Sequence, residues 1–198
     1  MHYSITDLNG DTDIYLLDQI MKGRYQQSDT ILDAGCGAGR NLHWFLLNNI
    51  SIYGIDSNAA SIAELKSKYP HLPGNTFHNA PVEQIPFEDN YFNHIICSAV
   101  LHFAKNTDHF NDMISELVRV LKPKGSLFIR MTSDIGIEQS VELIADGVYR
   151  IPDSSKRFLL TRALLQNSIQ KHNLLFLEPL KTVNVSDLRC MSTLVLQK

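Results

Sequence analysis

Three glycines in five residues, Gly35, Gly37 and Gly39, follow directly on the apolar run of residues 30–33 and lead into a helical stretch at 40–48. Glycine reaches positive φ at little cost and has no Cβ to hold the backbone away from a ligand, so a turn this rich in it can press against a bound molecule. Open amides at the start of the helix that follows favour negative partial charge. A strand, a glycine turn and a helix in that order are the opening unit of an open α/β sheet, and few other folds need it.

The rest of the chain continues the alternation. Short apolar, β-branched runs at 51–55, 76–79, 92–98 and 126–131 predict strands, and helices are expected near 57–69 and 107–121. Ser57 or Asn58, Asn106 or Thr107, and Thr161 supply helix-capping side chains. An amphipathic helix is predicted at 11–25, before the sheet. After Thr132 the pattern changes: 137–144 has helical spacing and 148–160 holds two short strands, so 133–160 is expected to be an insertion over the site. A helix from Thr161 to about 171 and two alternating strands, 174–185 and 188–197, finish the chain. The expected fold is thus a single α/β domain, Rossmann-like and doubly wound. Its seven-stranded sheet is mostly parallel and closes on a C-terminal antiparallel hairpin. The core spans 29–132 and the terminal helix and hairpin 161–198.

Composition agrees. With 198 residues, 44% hydrophobic and 20% charged, the chain can fill one core. A net charge of −3 supplies no cationic field for phosphate backbones or anionic lipid, which argues against a nucleic-acid partner. Lys66, Lys68, Lys122 and Lys124 are too dispersed to form a basic groove. Cys36, Cys97 and Cys190 form no CxxC pair, and the histidines show no HExxH or comparable spacing, so no metal site is expected. The polar amino-terminal stretch lacks the pattern of a signal peptide, and no apolar run is long enough to span a membrane. Cytoplasmic residence is the expectation.

The glycine turn reads Ile31, Leu32, Asp33, Ala34, Gly35, Cys36, Gly37, Ala38, Gly39, Arg40, Asn41. A dinucleotide fingerprint requires G-x-G-x-x-G, and its third glycine position here is Arg40. Asp33 would meet the pyrophosphate of a dinucleotide unfavourably, whereas a carboxylate suits a cationic ammonium or sulfonium. Asp56, at the end of the second strand, stands where an acidic residue meets ribose hydroxyls in α/β nucleotide sites, and it can also cap the next helix.

These residues resemble the class I S-adenosylmethionine-dependent methyltransferases. The resemblance includes residues 86–92, read Pro-Phe-Glu-Asp-Asn-Tyr-Phe, and 117–125, read Leu-Val-Arg-Val-Leu-Lys-Pro-Lys-Gly, and covers roughly 30–132. The run Gly39, Arg40, Asn41 is similar to the small tellurite-resistance-type enzymes. The resemblance implies S-adenosylmethionine as cofactor, its methionine part against Asp33, Gly35, Cys36 and Gly37. It implies the ribose on Asp56, Ser57 beside the adenosine, and the adenine near Pro81, Val82 and Glu83. Many relatives carry an Asp just before the adenine loop; this chain reads His78, Asn79, Ala80, leaving that contact to Asn79 or a backbone carbonyl. Cys97 and Ser98 end strand four at the edge where ligands gather.

A sulfonium already makes its methyl electrophilic, so the protein's task is to align an acceptor and exclude water. If the acceptor must lose a proton, His102 after strand four is the candidate base; otherwise it packs over the cofactor. Arg130, Tyr149, Arg150, Arg157 and Phe158 fall after strand five or in the insertion, where acceptor groups and lids reside, and the arginines with an aromatic favour an anionic or aromatic small-molecule acceptor. Trp44, Leu42, Phe45 and Leu46 are read as core. Two alternatives stand beside this one: a non-catalytic S-adenosylmethionine-binding protein and an NAD-dependent oxidoreductase.

Overall fold

The computed structural model describes residues 10–198. Residues 1–9, which carry most of the polar stretch at the amino terminus, lie outside them. In chain order the elements are α1 (Ile14–Met21), β1 (Thr30–Ala34), α2 (His43–Leu47), β2 (Ser51–Asp56), α3 (Ala59–Lys68), β3 (Phe77–Asn79) and β4 (Phe92–Ser98). They continue with a 3₁₀ turn (Leu101–Phe103), α4 (Thr107–Val120), β5 (Leu121–Ser133), a second 3₁₀ turn (Glu138–Ser140), β6 (Glu142–Ala145), β7 (Val148–Arg150) and β8 (Lys156–Phe158). Last come α5 (Arg162–His172), β9 (Leu175–Phe176), β10 (Lys181–Val185) and β11 (Arg189–Gln197).

The main sheet runs β10-β11-β5-β4-β1-β2-β3, with the short β9 also paired to β11 as an eighth strand. From β3 through β5 all neighbours are parallel, and β11 enters antiparallel between β5 and β10. The direction of winding reverses between β1 and β4, which opens a crevice at their carboxyl ends.

Period-2 alternation distributes the strand side chains over two cores. Leu32, Ile95, Cys97, Leu127, Ile129 and Leu194 face one side, with Phe110 and Leu117 of α4 and Leu165 of α5. Ile31, Ile96, Phe128 and Val195 face the other, with Leu16, Phe45, Ile62 and Leu65 of α1, α2 and α3. Three caps act as read from sequence: Asn58 accepts from the amides of Ala60 and Ser61, Asn106 from His109, and Thr161 from Leu164. Each such cap contributes about 1 kcal/mol.

Several boundaries differ from the sequence expectation. The first helix is confined to Ile14–Met21 because Asp13 caps it and Gly23, at φ 68°, ends it. The helix after the glycine turn keeps only His43–Leu47. Residues 137–144 are not a helix: a 3₁₀ turn there leads into β6, which pairs with β7 and β8 in a separate three-stranded antiparallel sheet. The Asp146-Gly147 turn decides that outcome, since Gly147 adopts φ 77° and a Cβ on it would meet Phe158 Cε2 at 2.2 Å. Phe158 in turn stacks on Phe110 at 5.0 Å, fastening the small sheet to α4. The predicted strand 174–185 is divided into β9 and β10, where Glu178 leaves the ladder to meet Lys22, Arg24 and Lys181. No helix among the described residues is long and apolar enough to cross a membrane.

Candidate active site

The glycine turn is held against β2 by backbone bonds, the amides of Gly35 and Cys36 both donating to the Ile55 carbonyl at 2.8 and 2.9 Å. This closeness requires glycine at 35: its φ is 81°, and a Cβ there would lie 2.2 Å from Val100 Cγ2. At the last residue of β2, the Asp56 carboxylate is fixed at both oxygens, accepting from the Gly37 amide (2.8 Å) and the Asn58 amide (2.8 Å). Asp56 also lines a cavity of about 500 Å³. Gly35, Asp56 and Ser57 form one wall of that cavity, and Pro81, Val82 and Glu83 form another. The third wall comes from the segment after β4, through Ala99, Val100 and Phe103, and from Lys105, His109 and Met113 around the start of α4. Glu83 Oε1 lies 3.1 Å from His109 Nε2, while His109 Nδ1 accepts from the Lys105 amide at 3.0 Å.

Asp33 lies behind the turn, 1% exposed, with both carboxylate oxygens buried and without a hydrogen-bond partner. Burial pushes its carboxyl up to about 7, against the pull of the Arg40 guanidinium. A buried carboxylate left in this state calls for a cationic donor. Close by, Asp13 reaches over from the cap of α1: it accepts from the Tyr15 amide, from Ser98 Oγ at 3.2 Å and from Arg130 Nη1 at 3.0 Å, with Arg40 at 3.7 Å. The amide of Asp13 donates to Asn41 Oδ1. The first helix is thereby tied to the glycine turn and to the ends of β4 and β5.

A second cavity of about 230 Å³ adjoins the first at Ala99. Ala99 is held at φ 63°, uncommon for a residue with a side chain, and its amide donates to the Arg130 carbonyl at 2.7 Å. His102, Arg130, Thr132, Asp153, Arg157 and Arg189 line this space. His102 is poorly suited to act as a base. Burial, aided by the Arg157 and Arg130 guanidiniums, pushes its ring down to about 4, and its Nδ1 already accepts from the Thr132 amide at 3.4 Å.

Of the residues singled out from sequence, Gly35, Asp56, Ser57, Pro81, Val82 and Glu83 line the first cavity, and His102, Arg130 and Arg157 the second. The others are placed elsewhere, Asp33 among them, buried behind the glycine turn and lining neither cavity. Gly37 serves Asp56 through its amide, and Cys36 turns its sulfur toward Gly54, where a Cβ would meet it at 2.8 Å. Cys97 is fully buried in the core, and burial pushes both the Cys36 and Cys97 thiols up, away from reactivity. Ser98 faces Asp13. Asn79, offered as a stand-in at the adenine loop, donates instead to the Asp56 carbonyl. Tyr149 and Arg150 line neither cavity, and Arg150 pairs across the small sheet with Glu142 at the surface. Sequence reading missed Asp13, Val100, Phe103, Lys105, His109, Met113 and Arg189. The cap position before α1 was the one signal for Asp13; the remainder come together only through long-range folding.

A crevice at the switch point of a parallel sheet, with a glycine turn, an anchored carboxylate for paired hydroxyls and a final antiparallel strand, defines a nucleoside-binding α/β domain of methyltransferase type. Residues 32–129 match the family described as a methyltransferase domain. The chain belongs to the class I S-adenosylmethionine-dependent methyltransferase family. It is 28% identical over 143 residues to phthiotriol/phenolphthiotriol dimycocerosates methyltransferase 1 of Mycobacterium ulcerans, a match covering 70% of this chain and 51% of that protein. The chain therefore spans about half the length of that curated relative. Among solved structures, an S-adenosylmethionine-dependent methyltransferase of Methanosarcina mazei superposes with a TM-score of 0.72 at 19% identity, covering 90% of this chain and 96% of that one. The [4+2]-cyclase SpnF superposes with a TM-score of 0.74 at 17% identity, covering 93% of this chain and 80% of that one. The same fold is thus similar to proteins named for different chemistries, and activity must be argued from the site.

Proposed function

We propose that this protein transfers a methyl group from S-adenosylmethionine to a small-molecule acceptor. The observation that carries the reading is the Asp56 carboxylate, held at both oxygens by backbone amides, in a residue that lines the larger cavity. Fixed this way it needs no reorganisation to accept two ribose hydroxyls. Asp33, with no partner for either oxygen, fits the cationic amino group of the methionine part, and Pro81 with Val82 supplies apolar surface for the adenine. When bound, S-adenosylmethionine supplies a methyl group on a cationic sulfur, which leaves with the bonding electron pair. The chain's own contribution is alignment and exclusion of water. Ala99, shared by both cavities, marks the passage between donor and acceptor, and Phe103 flanks it. The small β6-β7-β8 sheet brings Arg157 to the acceptor side and acts as its cover. With His102 held neutral and its Nδ1 already engaged, the favoured acceptor carries its nucleophilic electron pair available at neutral pH. Three unpaired, buried thiols suit the reducing cytoplasm.

The test is calorimetric titration with S-adenosylhomocysteine. Asp56→Asn leaves the folded protein binding at least about 10-fold more weakly, because a charge-assisted hydrogen bond is worth about 1.5–3 kcal/mol and the amide nitrogen must oppose one of two backbone donors. Folded wild-type protein that takes up no S-adenosylhomocysteine at millimolar concentration sinks the reading.

A further inference from the structure

The smaller cavity carries a charge that methyl transfer as such does not require. Three strands each deliver a guanidinium to it, Arg130 from β5, Arg157 from β8 and Arg189 from β11, and Asp153 is its one carboxylate. Of the three, only Arg130 forms an ion pair among the described residues, with Asp13 at 3.0 Å outside the cavity, and its Nε–H is buried without an acceptor. Arg157 lies over the Phe103 ring at 5.3 Å and spends Nη1 on the Lys156 carbonyl, which orients the guanidinium without neutralising it. His102 adds a donor. Its Nδ1 accepts from the Thr132 amide, so the neutral ring carries its hydrogen on Nε2. The lining is rich in cations and donors and poor in acceptors, the complement of an anion.

Asp13, shared between Arg130 and Arg40, offsets part of one guanidinium and Asp153 lies among the other two, so the lining keeps a small net positive charge, the complement of a monoanion. The volume, about 230 Å³, falls below the roughly 300–1,000 Å³ of drug-sized sites. Ile151 and Met191 supply apolar surface beside the charged groups.

We propose that this cavity holds the methyl acceptor as a small monocarboxylate, its acid group against Arg157 and Arg189 and the remainder extending past Ala99 toward the donor cavity. The inference rests on the donor-site reading given under the proposed function. Selectivity for the acceptor is set by strands β8 and β11, outside the nucleoside-binding half of the sheet.

The experiment is calorimetry on protein saturated with S-adenosylhomocysteine at low salt, with benzoate against benzamide, 3-methylbutanoate against 3-methylbutanamide, and phenyl phosphate as the dianion. At least one acid binds tenfold or more tightly than its amide, and Arg157→Gln with Arg189→Gln removes that preference while S-adenosylhomocysteine affinity stays within twofold. Acid and amide binding alike, neither binding at all, phenyl phosphate outcompeting both acids, or a preference that survives the double variant overturns the proposal. The first titration separates the two readings. Protein that does not bind S-adenosylhomocysteine takes both down, and protein that binds it yet ignores the acids takes down this one alone.

Discussion

Replacing Gly35 by alanine tests whether the close approach of the glycine turn to the segment after β4 holds the site together. Two costs follow from the geometry. The native φ of 81° lies where a side chain is disfavoured, at about 1–2 kcal/mol. The new Cβ would also lie 2.2 Å from Val100 Cγ2, 3.1 Å from Cγ1 and 3.2 Å from Cβ, so Val100 must shift or leave its rotamer to admit it. Overpacking of this kind costs about 1–3 kcal/mol. The sum, roughly 2–5 kcal/mol, is a large part of the ordinary stability of a domain. Urea denaturation measures it, and S-adenosylhomocysteine titration shows the accompanying loss of affinity. Adding Val100→Ala deletes the two obstructing methyls and restores the packing part only, so the double-mutant cycle yields a favourable coupling of about 1–3 kcal/mol with the backbone part remaining. A Gly35→Ala loss below about 1 kcal/mol, or strictly additive variants, would refute the reasoning.

Two further predictions concern titration. Asp33 is raised to about 7 in the folded protein, so its contribution to stability is fully present below its ordinary value of 3.8 and is lost as pH rises through 7. Binding runs the other way: a cationic amine favours the carboxylate, so S-adenosylhomocysteine affinity rises about tenfold between pH 6 and 8, and Asp33→Asn flattens the curve; an affinity independent of pH in the wild type contradicts this. The His102 ring is depressed to about 4, so the stability linked to its neutral form is present above 6.5 and lost as pH falls through 4. Ring-proton NMR shift titration places its midpoint below pH 5, and a midpoint between 6 and 7 would restore it as a base.

The nucleoside half of the site was legible because its signals are local. Gly35 and Asp56 are tied to a strand–turn–helix unit whose spacing is written within about 25 consecutive residues, and the caps at Asn58, Asn106 and Thr161 depend on their own next turn. The acceptor half was legible only in part. Arg130 and Arg157 were selected by position near the end of strand five and in the insertion, but Arg150, selected by the same reasoning, points away because strand pairing with β6 gives it Glu142 as a partner. Residues 137–144 misled for a related reason: apolar spacing in a short exposed segment fits a helix until a hairpin partner is available.

Sequence alone determined the glycine turn, the order of strands and helices as far as β5, the acidic residue closing β2 and the family, since conformational preference, periodicity and capping act over a few neighbouring residues. Tertiary structure decided which groups share a cavity. It tied Asp13 to Arg130 across 117 positions, lowered His102 by surrounding it with arginines and protein, and gathered Arg130, Arg157 and Arg189 from three strands. Burial and electrostatic coupling depend on distance in space, and no window of consecutive residues contains that distance.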